Sequence, residues 1–197
     1  HDKLLNIYDE CLKAGNPDLV IIFASTSKIT FPGAGVAMEA GSPNNVDILK
    51  SRMKYQTIGP DKLNQLRHAR MFKTKQALFN HMKKHADIIR PKFDTVLNAF
   101  DKYLAPTGTA EWSKPRGGYF ISLNVEKGCA KRTEELCANA GLILTPAGAA
   151  FPYGTDPDDS NLRIAPSYPS AKEIEIAAEV LCTAVRYAVL EKLLKEN

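Results

Sequence analysis

The stretch LVIIFASTSKITFPGAGV, residues 19–36, decides how the chain is read. Leu19 to Ala24 is a continuous apolar, partly β-branched run of strand length. A strand with no polar alternation is covered on both faces, which points to a parallel or mixed sheet sandwiched by helices. GVAMEAG, residues 35–41, reads as the neighbouring strand. Between the two stand Ser25, Thr26, Ser27 and Lys28, then a turn punctuated by Pro32, Gly33 and Gly35. Lys28 follows the strand directly, so its amine belongs at the strand's carboxyl end, where open α/β sheets place ligands. A lysine becomes a nucleophile when desolvation or a neighbouring cation supplies free amine near neutral pH. Ser25 and Ser27 add hydroxyls suited to holding phosphate oxygens together with backbone N–H groups. The glycines permit close backbone approach or positive φ. The same residues also allow a plainer reading, a solvent-facing loop lysine with serines as turn formers. They are not a Walker motif, because no GxxxxGK[ST] pattern precedes them.

Outward from this stretch the chain alternates between helix and strand. Leu4 to Ala14 has helical spacing and stops at Gly15. NNVDILKSRMKY reads as a short helix with an asparagine cap, and GPDKLNQLRHARMF as another with Pro60 near its first turn. Helical periodicity then continues to about Tyr103, past the pre-proline Arg90. A helix of that length links two lobes or kinks where proline intrudes. GGYFISLNV reads as a strand, KRTEELCANAG as a helix ended by Gly141, LILTPAG as a strand entering a loop, and NLRIAPS as a further strand. Trp112 is placed in a loop, and an amphipathic helix from Ser170 to Lys195 closes the chain. The class is α/β or α+β in two lobes. The early lobe offers two convincing strands, too few for a buried sheet to cover itself.

At 197 residues the chain can bury one good core or two small ones. No apolar stretch approaches bilayer length and the N-terminal residues lack a signal-peptide layout, so the reading is cytoplasmic. A net charge of +4, with basic and acidic residues interspersed, gives no nucleic-acid footprint but is compatible with a small anionic ligand. Cys11, Cys129, Cys137 and Cys182 form no CxxC pair and are expected to be buried free thiols. His81 and His85 stand four apart and can share a helix face. Adjacent lysines and the absence of an HExxH glutamate argue against a metal, and none is expected. No GxSxG elbow is present.

Four motifs in order, STSK…PGAG, GGYF, LTPAGAAF and NLRIAPS, resemble the fold-type I pyridoxal-phosphate aminotransferases of class I/II. The likeness is to the aspartate-aminotransferase branch related to MocR-type aminotransferase domains, and it covers essentially the whole chain. It implies residues 1–75 as the remainder of a large cofactor-binding domain, 76–104 as a connecting helix and 105–197 as a small C-terminal domain. It also implies a C-terminal part of a protein about twice as long, whose upstream portion would carry the contacts to the pyridine ring. Carried over to this chain, the resemblance makes Lys28 the Schiff-base lysine, and Ser25 and Ser27 the phosphate hydroxyls. Thr57 becomes a further phosphate candidate, Arg163 the grip on the substrate α-carboxylate, and Phe151 an apolar lid contact. A planar guanidinium suits that grip because it binds carboxylate bidentately. The implied activity is ping-pong aldimine transamination, with aspartate and 2-oxoglutarate as the leading pair, in a homodimer with pyridoxal 5'-phosphate. The alternative is a MocR-like effector domain that binds the cofactor without turnover. One departure stands out. Where many members carry an arginine seven or eight residues beyond the lysine, this chain has Gly35 and Val36.

Overall fold

A computed structural model describes residues 4–196, which divide between His85 and Ala86 into two units.

In the first unit, α1 (Ile7–Lys13) starts where the Asn6 side chain accepts the Tyr8 amide, and it ends before Gly15, whose φ of +74° only glycine adopts freely. β1 (Ile21–Ser25) and β2 (Ala37–Gly41) pair antiparallel, with Ile21 opposite Gly41 and Ser25 opposite Ala37. This corrects the expectation of a parallel-type strand pair. Phe23 is 70% exposed and Met38 51%, because a ladder of two strands has no layer of its own to bury them against. α2 (Pro43–Met53) is capped by Ser42, which accepts the Asn45 amide, and not by an asparagine. α3 (Lys62–Met71) is capped by Asp61, with Pro60 just outside it. The expected continuous run then breaks at Phe72–Thr74, and Thr74 caps α4 (Lys75–Tyr103) by accepting the Ala77 amide. The division between the units falls inside α4. Among the described residues of this unit the buried ones are polar: Thr30, Ser42 and Asn64.

The second unit has a conventional core. β3 (Ala110–Trp112), β4 (Ile121–Val125) and β5 (Asn161–Ile164) form one antiparallel sheet in that order. Alternation puts Ile121, Leu123 and Val125 of β4, and Leu162 and Ile164 of β5, on the buried face, while Ser122 and Asn124 stay exposed. Against that face pack Phe93, Val96 and Phe100 of α4, together with α5 (Ala130–Asn139) and α6 (Ala171–Glu196). The buried stripe of α6, residues 174, 178, 181, 182, 185, 188 and 189, follows helical spacing. Ser170 and Glu173 form a reciprocal capping box at its start. Each fully buried Leu, Ile or Phe contributes on the order of 1.5–3 kcal/mol.

Two further expectations are corrected. Trp112 lies in β3, edge-on to Phe100 at 5.4 Å, and not in a loop. LILTPAG forms no strand, since no ladder lies beside it. Pro91 is accommodated within α4. Cys129, Cys137 and Cys182 are buried free thiols, and Cys11 is free but half-buried. No helix among the described residues is long and apolar enough to cross a membrane.

Candidate active site

The site residues fall in both units, so each group is built separately. In the first unit β1 ends at Ser25, and the chain turns at once. Thr26 still pairs with the neighbouring strand, its amide donating to the Val36 carbonyl at 2.9 Å and its hydroxyl accepting the Val36 amide at 2.8 Å. The amides of Ile29 and Thr30 both reach back 2.8 Å to the Thr26 carbonyl, which makes residues 26–30 one tight turn with Lys28 at its centre. Ser25 Oγ and Ser27 Oγ are 2.9 Å apart, and the Ser27 amide donates to Ser25 Oγ at 3.1 Å. Two hydroxyls and the residue that bears a primary amine thereby follow one another at the end of β1.

The same geometry accounts for the residue that stands where an arginine is common. A Cβ on Gly35 would lie 2.5 Å from Ser27 Oγ and 3.0 Å from the Ser27 amide nitrogen and Cα. Any side chain there would displace Ser27. Asn64 of α3 donates to the Gly35 carbonyl at 3.0 Å and holds the loop in that close approach.

Thr57 lies in the turn after α2, where its hydroxyl donates to the Gly59 carbonyl at 2.7 Å and accepts the Gly59 amide at 3.2 Å. Its hydroxyl proton is engaged locally.

In the second unit Arg163 stands on β5 opposite Ser122. The strand is launched by Asp156, which accepts the amides of Ser160 and Asn161, each at 2.8 Å, and of Asp158 at 3.1 Å. Desolvation raises that carboxyl's pKa, but the three N–H donors outweigh it and hold it below the ordinary carboxylate range. The Arg163 guanidinium lies 4.7 Å from the centroid of the Phe120 ring, a cation–π contact that the sequence reading missed. Its only local sign is the aromatic immediately after GGY. Arg163 Nε is buried and has no hydrogen-bond partner among the described residues, an orphaned donor. A cavity of about 180 Å³ opens beside Arg163, walled by Leu144, Ile164, Pro166, Ile174 and Ala178. Phe151 is half-buried in the loop after α5. That loop is tied down where the Ala147 amide donates to Glu134 at 2.7 Å. At Gly148, with φ of +84°, an added Cβ would meet the Gly154 carbonyl carbon at 3.0 Å.

An amine beside paired hydroxyls fits a phosphorylated aldehyde such as pyridoxal phosphate. The orphaned Nε fits an anionic oxygen of a carboxylate. The described residues hold no cluster of three or more His, Cys, Asp or Glu side chains that could bind a metal. The His81 and His85 rings lie 4.5 Å apart between centroids, tilted by 53° to one another.

Comparison with known proteins bears on all of this. A family model described as aspartate amino-transferase matches residues 1–197. An aspartate aminotransferase of Corynebacterium glutamicum is 45% identical over 178 residues, covering 90% of this chain and 41% of that protein. The crystal structure of an aspartate transaminase from the same species superposes with a TM-score of 0.93 at 42% identity, covering 97% of this chain and 45% of that one. LysN, an alpha-aminoadipate aminotransferase from Thermus thermophilus solved with N-(5'-phosphopyridoxyl)-L-leucine, superposes at 0.79 with 21% identity, over 96% of this chain and 47% of that one, and shares the fold. The chain thus spans less than half the length of each, in keeping with part of a fold-type I transferase.

Proposed function

The chain belongs to the aspartate amino-transferase family, and from that premise we propose that the whole protein is a pyridoxal-phosphate-dependent aminotransferase. It would move an amino group from an L-amino acid to a 2-oxo acid in ping-pong fashion, with aspartate and 2-oxoglutarate as the leading pair. The observation that carries this reading is the turn at residues 26–30, which sets Lys28 directly after two hydroxyls 2.9 Å apart.

When bound, the cofactor supplies an electron sink for negative charge on the substrate α-carbon. The chain's own residues do the rest. Lys28 would hold the cofactor through its amine. As a free base the same amine would take a proton from the substrate α-carbon and give it back. Ser25 and Ser27 donate to phosphate oxygens. Arg163 binds the α-carboxylate through parallel N–H bonds, with its buried Nε gaining the partner it lacks. Phe151 lies over the substrate and excludes water. Thr57 would join the phosphate site only by turning its hydroxyl proton away from Gly59. The contacts to the pyridine ring are assigned to the length of the relatives that this chain does not span, and a homodimer with sites near the subunit interface completes the reading.

The test uses the full-length protein. Borohydride treatment followed by peptide mass spectrometry should find the cofactor fixed on Lys28, and Lys28→Ala should lose both the adduct and turnover of aspartate with 2-oxoglutarate. Cofactor still fixed at the same level in Lys28→Ala would overturn the assignment. Fixation on Lys28 without turnover of any amino and oxo acid pair would return the reading to a cofactor-binding sensor.

A further inference from the structure

The turn that carries Lys28 is held from a distance by one imidazole. His68 of α3 places Nε2 3.1 Å from Thr26 Oγ1 and 2.7 Å from Thr30 Oγ1. Thr26 and Thr30 are the residues two before and two after Lys28. The other ring nitrogen, Nδ1, lies 2.9 Å from the Asn64 carbonyl oxygen. A carbonyl can only accept, so Nδ1 donates there, and in the neutral ring Nε2 is left with one lone pair that the two threonine hydroxyls share, Thr30 Oγ1 also lying 3.1 Å from the Thr26 carbonyl it can donate to. Phe31 meets the ring edge-on at 5.3 Å and fixes its plane. Thr30 is buried. Both ends of the turn are therefore pinned to α3 in a unit whose buried residues are polar.

We propose that His68 is a positioning residue for Lys28, fixing through Thr26 and Thr30 the point from which the lysine side chain leaves the turn. The proposal rests on the reading of Lys28 as the cofactor-bearing lysine. The four-carbon stem of a lysine is flexible, so its amine is aimed only as well as its base is held. A misplacement of about 1 Å at a reacting group costs on the order of a hundredfold in rate. A residue that merely stabilised the unit would lower its melting temperature and leave the amine's behaviour alone.

The experiment compares full-length holoenzyme with His68→Ala, Thr30→Val and Thr30→Ser. Three quantities are read: hydrogen exchange of amides 26–36, the pH midpoint of the bound cofactor's visible absorption, and kcat and KM separately. The expected result for His68→Ala and Thr30→Val is faster exchange across 26–36, a displaced absorption midpoint, and kcat lower by roughly ten- to a hundredfold with KM little changed. Thr30→Ser, which keeps the hydroxyl, should restore the midpoint. If His68→Ala does not fold, Thr30→Val decides. A lowered melting temperature with an unmoved midpoint and unmoved kcat overturns the proposal, as does unchanged exchange at 26–36. Lys28→Ala separates the two readings: loss of the borohydride adduct in that variant, with His68→Ala indistinguishable from wild type, sinks the positioning role alone.

Discussion

Replacing Gly35 with alanine probes whether the arginine's usual position is closed by Ser27. Gly35 does not adopt a left-handed φ, so alanine meets no backbone strain there. The new Cβ would instead lie 2.5 Å from Ser27 Oγ and 3.0 Å from two Ser27 main-chain atoms. Ordinary carbon–oxygen contacts are close to an ångström longer than the first of these, so Ser27 must rotate and the 2.9 Å pairing with Ser25 must break. Overpacking of this kind costs about 1–3 kcal/mol in stability. Loss of a hydrogen bond to a charged phosphate costs about 1.5–3 kcal/mol in cofactor affinity, roughly ten- to a hundredfold in Kd. The assay is fluorescence titration of the full-length apoenzyme with pyridoxal phosphate, run as a double-mutant cycle with Ser27→Ala. Because either change removes the same hydroxyl contact, the double variant should bind about as weakly as either single one. Gly33→Ala is the control. With φ of +76° and open space around it, that change should cost about 1 kcal/mol in stability through backbone strain and leave the Ser27 contact alone. Free-energy losses that add for Gly35→Ala and Ser27→Ala, or a Gly35→Ala variant with wild-type affinity, would refute the reasoning.

Other outcomes follow from the second unit. Phe100→Ala should destabilise the protein by about 3–5 kcal/mol in denaturant unfolding, since that ring is fully buried between α4 and the sheet. Burial pushes the Cys137 thiol up to about 11 and the Cys182 thiol up to about 12, so iodoacetamide at pH 8 should label neither in the native protein, as read by peptide mass spectrometry. Arg132 donates to both Glu191 oxygens, at 2.7 and 2.9 Å, and that contact holds the Glu191 carboxyl below its ordinary value. A depressed carboxyl contributes stability above its unfolded pKa and loses it as pH falls through the folded one. The melting-temperature advantage of wild type over Glu191→Gln should therefore be present at pH 7 and shrink in acid. Phe120→Leu should raise KM for amino and oxo acids alike by a few-fold, because it loosens Arg163.

What could be read from the sequence and what could not divides along physical lines. β4 and β5 were legible because alternate residues enter a core, and α6 because its apolar stripe keeps helical spacing along 26 residues. β3 was not legible: three residues become a strand only because Leu123 and its neighbours pair with them. LILTPAG looked like a strand from composition and has no ladder to join. The break at Phe72–Thr74 contains neither glycine nor proline, and a threonine cap is too common a residue to announce it. Lys28 was visible as a lysine at a strand end, and Arg163 gained its meaning from resemblance. His68 was invisible, because the hydroxyls it holds lie 38 and 42 residues away in the chain.

The two-strand ladder has a practical consequence for handling the polypeptide. Among the described residues β1 and β2 each have a strand along one side only, and the faces of the pair carry Phe23 and Met38. Open ladders of this composition recruit further strands, including those of other copies. A polypeptide limited to these residues should consequently scatter light in proportion to how concentrated it is. A lysine placed at residue 23 or 38, which alternation puts on opposite faces of the ladder, should act as a gatekeeper and raise the concentration at which that begins.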